Sequence, residues 1–229
     1  MVSEALDEGA LLLRAQGLAG RSLAELARGL RLPVPPDLRG NKGWIGQVVE
    51  LAMGVAPNSF HGPDFPEAGV ELKTIPVTEG GLPTASTWVA VAPLDGSLSR
   101  PWEGSLVQQK LASVLWVPVR GRGEPGSRVV GCPLLWHPSA AEEALLRADW
   151  ATLTEQVAEG AFARISAREG VALQLRPKAA RSGEWVWALD EEGEWVRTTP
   201  LGFYLRQRFT RQIFLSRRAS EGCRPASVP

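Results

Sequence analysis

Two continuous apolar runs constrain this chain more than any other feature. "STWVAVAP" covers Ser86 to Pro93, and "SVLWVPV" covers Ser113 to Val119. Short runs rich in β-branched and aromatic residues read as strands, and apolar side chains at every position call for cover on both faces. The cover must come from helices, and helical patterns are present. Residues 4–18 read as one helix. "SLAE" (Ser22 to Glu25) is a capping box that opens a second, ending near Leu30. "KGWIGQVVELAMG" gives a third, with Ile45, Val48, Val49 and Ala52 on its apolar face and Gly54 ending it. Ser139 to Val157 reads as a long amphipathic helix with Glu142 and Glu143 in its first turn.

Further strands are predicted. "GVELKTIP" alternates, with Val70, Leu72 and Thr74 on one face, and Pro76 is expected to stop it. "SRVVGCPLLWHP" offers a fourth strand and "VALQLRP" another. "EWVWALDEEGEWVR" suggests a hairpin around "EEG", and "FYLRQRFTRQIFL" a short strand running into a basic helix. The predicted class is α/β, a central mixed sheet flanked by helices. The expected organisation is one domain over 1–229 built as two lobes, with a partly disordered tail from about 218.

Composition excludes some classes. No run of about 18 apolar residues is present, so no membrane span is expected. The first residues carry Glu4, Asp7 and Glu8, unlike a signal peptide. Cys132 and Cys223 are the only cysteines and lie far apart in sequence. Free thiols in a reducing cytoplasm are the expectation. Net charge is zero, but from Arg197 onward there are seven arginines against one acid, which points to a polyanion or to a solvated tail. Of 25 basic residues only four are lysines: Lys42, Lys73, Lys110 and Lys178. Where arginine replaces lysine so widely, the remaining lysines are candidates for sites needing a compact ammonium. His61 and His137 have no partners at metal-ligand spacing, so no zinc site is expected.

The densest chemistry lies in "GPDFPEAGVELKTIP", Gly62 to Pro76. Alternation places Glu71 and Lys73 on one face, about 7 Å apart at the backbone. Val70 and Leu72 turn to the core, which leaves the Glu71–Lys73 face unpacked. The "PEAG" turn can fold Asp64 back beside Glu71. Adjacent carboxylates repel and need a cation, and hard oxygen donors with open positions suit Mg²⁺. The Leu72 carbonyl could add a ligand, and Glu50 offers a further carboxylate. An ammonium beside such a site can help a water lose its proton and stabilise charge developing on a phosphate. The chemistry so assembled is phosphodiester hydrolysis. An exposed ion pair is the plainer reading of Glu71 and Lys73, but the strand is too apolar for a surface edge.

"NKGWIGQVVE" followed by "DFPEAGVELKTIPV" resembles the MutH family, the strand-discriminating endonucleases of DNA mismatch repair. "VAVAPL", "KLASVLWVPV", "GCPLLW", "LQLRPKAA" and "GFYLRQRFT" follow in the same order, so the resemblance spans nearly the whole chain. It implies a restriction-endonuclease-like fold whose two lobes flank a DNA-binding cleft. It implies Mg²⁺-dependent nicking of the unmethylated strand, 5′ to G, at hemimethylated GATC in double-stranded DNA. It also implies activation by MutL after MutS finds a mismatch. By resemblance Asp64 and Glu71 are metal ligands with the Leu72 carbonyl, Glu50 is an accessory carboxylate, and Lys73 is the catalytic lysine. Lys110 matches a lysine near the site, and Lys42 one that contacts DNA. Arg176, Pro177 and Lys178 match the base-reading loop, and Tyr204 the residue beside the methylatable adenine. Arginine can bind guanine O6 and N7 together, and apolar contact suits the thymine methyl. Arg206, Arg208 and Arg211 are further candidates for phosphate contact.

The departure from the family pattern is the stretch between "RPK" and "GFYL". It holds Trp185, Trp187 and Trp195 with Glu184, Asp190, Glu191, Glu192 and Glu194. A hairpin is the favoured reading over a lid. Two other functions stay open: a stand-alone restriction enzyme cutting both strands at GATC, and a DNA-binding module without catalysis. The chain is one domain long, which favours a monomer that nicks.

Overall fold

A computed structural model describes residues 7–41, 43–55, 62–98, 101–161, 164–165, 168–178 and 184–220, the last four as backbone only. In chain order the elements are α1 (Glu8–Gln16), α2 (Leu23–Gly29), α3 (Trp44–Met53), β1 (Glu71–Val77), β2 (Thr87–Ala92), α4 (Leu106–Leu111) and β3 (Val114–Arg120). Then follow a 3₁₀ turn (Pro125–Ser127), β4 (Val129–Val130), β5 (Leu134–Trp136), α5 (Ala140–Ala158), β6 (Leu173–Pro177), β7 (Val186–Leu189), β8 (Trp195–Thr198), β9 (Leu201–Leu205) and α6 (Gln207–Ser220). The α/β class holds. No described helix is long and apolar enough to cross a membrane.

The chain divides into two compact units, one of 1–85, 112–137 and 211–229, the other of 86–111 and 138–210. In the first, β3 pairs in parallel with β1 and antiparallel with β4 and β5, a mixed sheet. Every residue of β3 from Val114 to Val119 is buried, as its unbroken apolar run requires. Leu11, Leu23, Leu26, Val48, Val49 and Met53 from the first three helices join Val70, Leu72, Leu115 and Val117 in one core. Burying a side chain of this size contributes about 1.5–3 kcal/mol. Trp116 packs at 6.5 Å from Trp136 and 6.0 Å from Phe214, ring centre to ring centre.

Local sequence explains the helix ends. Ser22 and Glu25 form the expected capping box, and Gly54 takes the left-handed conformation that closes α3. The buried face of α3 is Trp44, Val48, Val49 and Met53, with Ile45 and Ala52 only partly covered. Arg14 of α1 donates from Nη1 to the Met53 carbonyl at 2.9 Å, satisfying an end-of-helix acceptor.

Three expectations need correction. Pro76 does not stop β1, which runs to Val77. Among the described strands β3 alone pairs with β1, so β1 is an edge where a residue without an N–H is tolerated. The Pro76 carbonyl instead accepts from the Thr84 N–H and hydroxyl, at 3.0 and 3.1 Å. The single strand expected over "SRVVGCPLLWHP" is two short ones, broken at Gly131 to Pro133, and both pair with β3. Cys132 is disulfide-bonded, not a free thiol, because distance along a chain does not limit distance in space. Cys223 lies outside the described residues.

Glu8 ties α1 to the start of β3. Its Oε1 accepts from the Ser113 hydroxyl at 2.6 Å and lies 2.8 Å from His137 Nε2. Desolvation pushes the Glu8 carboxyl up, but the Ser113 and His137 contacts outweigh it, and the net shift is downward. A carboxyl held low in the folded state stabilises above its unfolded value and loses that contribution as pH falls through the folded one. Below pH 4.5 the native protein should therefore lose stability more steeply than a Glu8→Gln variant. Urea midpoints taken across the acid range check this. Parallel acid profiles for the two proteins would refute it.

The second unit is built on a three-stranded antiparallel sheet, β2-β9-β6, and the two-stranded β7–β8. The consecutive strands β1, β2 and β3 thus do not share one sheet: β2 pairs with β9, far along the chain. Nor is β2 covered throughout, for Trp88 and Val91 are exposed although their neighbours are buried. The helix α5 begins at a capping box of Ser139 and Glu142 and buries Leu146, Trp150, Leu153 and Val157 along one stripe. Trp150 stacks at 4.8 Å on Phe203 of β9 and meets Trp102 edge-on at 6.0 Å.

Candidate active site

The opening stretch folds back as its turn chemistry requires. Phe65 and Val70 exchange backbone hydrogen bonds of 2.9 and 3.2 Å across the turn. Asp64 is thereby laid against β1, where its Oδ2 accepts from the Leu72 N–H at 2.9 Å. Strand alternation puts Glu71 and Lys73 side by side, and Lys73 Nζ donates to Glu71 Oε1 at 2.5 Å. The face they occupy is not open, as alternation alone suggested. The Glu71 side chain is 1% exposed and that of Lys73 12%. A carboxylate so far out of water is held there by charged and hydrogen-bonded company, not by solvent.

Glu50 enters from α3, which packs on β1. Its carboxyl is held above the usual carboxylate range. The residue is solvent-exposed as a whole, so partial loss of hydration beside the cluster is the first cause, and the negative charges of Asp64 and Glu71 add to it, against a downward pull from Lys73. Glu50 thus lies in the field of Asp64 and Glu71, whose negative charge makes it harder to ionise. A divalent cation would relieve that repulsion. The donors, carboxylate oxygens and the strand carbonyl of Leu72, are hard, as Mg²⁺ prefers. Among the described residues no three acidic, histidine or cysteine side chains close into a complete ligand group.

In the other unit, β6 and β9 bring a second group together. Gln174 pairs with Tyr204, Arg176 with Gly202 and Pro177 with Leu201. The Arg176 guanidinium lies 5.1 Å from the centre of the Tyr204 ring, a cation–π contact across the ladder. Lys178 follows, its N–H bonded to the Pro200 carbonyl at 2.8 Å. Arg176, Pro177 and Lys178 are all exposed, so the row is presented to solvent. Gly202 lets the neighbouring strands approach closely beside it. A Cβ there would stand 3.1 Å from both the Ala90 carbonyl and Trp88 Nε1, and 3.4 Å from the Tyr204 ring. Trp88, which its apolar run assigned to the packed sheet, instead stands exposed opposite Tyr204. Only the register, set by a distant strand, reveals it.

Lys110 sits in the last turn of α4, 9% exposed, in the same unit as Arg176 and Tyr204. Lys42 and His61 lie outside the described residues. Arg206 bonds the Glu169 carbonyl at 2.9 Å, which gives it a structural task at the end of β9.

Comparison with known proteins is consistent along the chain. Residues 53–149 match the family model described as the DNA mismatch repair enzyme MutH. The DNA mismatch repair protein MutH of Pectobacterium atrosepticum is 50% identical over 206 residues, 89% of this chain and 89% of that protein. That of Vibrio vulnificus is 49% identical over 208 residues, 90% of this chain and 92% of its own. That of Serratia proteamaculans is 48% identical over 206 residues, 89% of this chain and 90% of its own. Identity of this depth over this length, on a chain that sets Asp64 against Glu71 and Lys73 of β1, makes the protein a member of the MutH family of DNA mismatch repair endonucleases.

Proposed function

We propose that the protein is a Mg²⁺-dependent endonuclease that nicks the unmethylated strand, 5′ to G, at hemimethylated GATC sites in double-stranded DNA. A MutL partner activates it once MutS has found a mismatch, and it acts as a monomer in the cytoplasm. The observation that carries this reading is the Asp64, Glu71 and Lys73 cluster on β1, with Glu50 above it.

The geometry supports the following roles. Asp64 and Glu71, with the Leu72 carbonyl and Glu50 in support, would hold one or two Mg²⁺ ions. When bound, the metal draws charge from the scissile phosphate and makes a nearby water more acidic. Lys73 is fixed by its contact to Glu71 and directs its ammonium at the charge that builds on phosphate. Burial keeps Glu71 and Lys73 in one geometry, so little reorganisation accompanies the reaction. In the second unit Arg176 addresses guanine, Pro177 the thymine methyl and Tyr204 the adenine whose N6 is methylated. Lys178 belongs to the same base-reading loop, and Lys42 contacts DNA. Restricting the choice to one strand needs a reader sensitive to a single methyl group, and an aromatic ring beside adenine N6 meets that need.

The test uses the intact protein, Mg²⁺ and plasmids carrying GATC unmethylated, hemimethylated or fully methylated. Nicks should appear only in unmethylated strands and rise on adding MutL with ATP. Double-strand cutting blind to hemimethylation would make the protein a restriction enzyme instead. DNA binding with no cutting under any of these conditions would make it a non-catalytic module.

A further inference from the structure

The β7–β8 hairpin carries an exposed aromatic face with a single cation set into it. Trp187 pairs with Arg197 and Leu189 with Trp195. Alternation, extended one residue back, gathers Trp185, Trp187, Leu189, Trp195 and Arg197 on one face, while Ala188 on the other is fully buried. The three tryptophans are 47, 49 and 56% exposed. Trp185 and Trp187 meet edge to face with centres 5.7 Å apart. The Arg197 guanidinium lies 3.8 Å from the centre of Trp185 and 5.3 Å from that of Trp187.

The hairpin is held at both ends. At its root, the Lys178 N–H to Pro200 carbonyl bond closes the β6–β9 pair on either side of the insertion. Further out, the Leu189 N–H bonds the Leu94 carbonyl at 2.9 Å and Glu191 pairs with Arg164 at 2.7 Å. A Cβ on Gly160 would lie 2.1 Å from the Asp190 backbone, so the tip is seated closely there. The aromatic face is therefore a fixed platform, and it is spliced between the strand of Arg176 and the strand of Tyr204.

We propose that Arg197, framed by Trp185 and Trp187, contacts the sugar–phosphate backbone of duplex DNA outside the recognised tetranucleotide. This rests on the function proposed above for the neighbouring strands. A guanidinium stacked on indole rings keeps its N–H edge for a phosphate and has already given up most of its rotamer freedom. The rings offer apolar area to deoxyribose. Phosphate alternating with sugar is the chemistry that such a face fits. The acids decide which end is used. Four acids, Asp190, Glu191, Glu192 and Glu194, crowd the tip and repel phosphate, against Glu184 alone at the root beside Trp185, so the contact falls at the root, and Trp195 takes no part.

The experiment measures affinity of the full-length protein for a long duplex with a central GATC, a scrambled duplex of equal length, and a GATC duplex trimmed close to the site. Each is titrated across a salt series. The proteins are wild type, Arg197→Ala, Arg197→Lys and Trp195→Phe, with circular dichroism confirming the fold. Arg197→Ala should weaken binding to both long duplexes by about three- to tenfold and flatten the log–log salt slope by about 0.9. It should leave the trimmed duplex and the nicking rate at saturating DNA unchanged. Arg197→Lys should keep the slope and lose part of the affinity, and Trp195→Phe should match wild type. Unchanged affinity and slope for Arg197→Ala, in a wild type that binds and nicks, overturn the proposal. Unchanged DNA binding with lost stimulation by a MutL partner overturns it too, and assigns the face to protein docking. A wild type that neither binds nor nicks any duplex defeats the underlying function instead.

Discussion

Lys73→Ala should reduce Mg²⁺-supported nicking by at least about 10²- to 10³-fold while GATC duplex binding survives. The size of the loss follows from the site. Lys73 is nearly buried and held 2.5 Å from Glu71, so no solvent ion takes its place at once. The variant also leaves a buried carboxylate with one cation fewer, which costs stability in its own right. Single-turnover nicking, duplex affinity and thermal unfolding measured together separate these effects. A Glu71→Gln/Lys73→Ala double variant should recover part of the melting temperature and none of the activity. If Lys73→Ala nicks at the wild-type rate, the cluster on β1 is not the catalytic centre and the proposed roles of Asp64 and Glu71 fall with it.

Asp149→Ala should destabilise the protein by about 3–5 kcal/mol, since each buried N–H left without an acceptor costs about 1–3 kcal/mol. Asp149 projects from the buried side of α5 and is 8% exposed. Its Oδ2 accepts from the Val171, Ala172 and Leu173 N–H groups at 2.9, 2.6 and 2.8 Å, and its Oδ1 from Val171 at 3.0 Å. One carboxylate thus anchors the start of β6, the strand that ends in Arg176 and Pro177. Asp149→Asn keeps one acceptor oxygen and should lose less. Urea unfolding gives the magnitude, and a change under 1 kcal/mol for the alanine variant would mean that water replaces the carboxylate at little cost. Loosening at Val171 to Leu173 should also blunt discrimination between GATC and scrambled duplexes more than it slows cutting.

Asp149 shows where reading a sequence stops. Nothing near it marks it out, since an acid within "LLRADWATL" reads as the polar side of a helix. Its partners lie more than twenty residues on, and only tertiary structure pairs a helix side chain with three consecutive backbone N–H groups at the start of a strand. The contrast with Asp64 is instructive. There the partner is eight residues away across a Pro-Glu-Ala-Gly turn, so local turn chemistry was enough to place the carboxylate beside β1.

What the chain dictates by itself is local. Both capping boxes are written in Ser-x-x-Glu, the end of α3 in Gly54, the hairpin in "EEG", and the shared face of Glu71 and Lys73 in the period of a strand. Each is settled by a few neighbouring dihedrals and hydrogen bonds, so a short window contains its cause. Tertiary structure alone decides which strands are partners. It separates β2 from β1 and β3, sets Tyr204 between Trp88 and Gln174, and lays Arg176 over the tyrosine ring. It also buries a Glu71 that alternation left facing outward. Strand partners are chosen by the sum of many distant contacts competing with chain entropy, and no single window of sequence holds that sum.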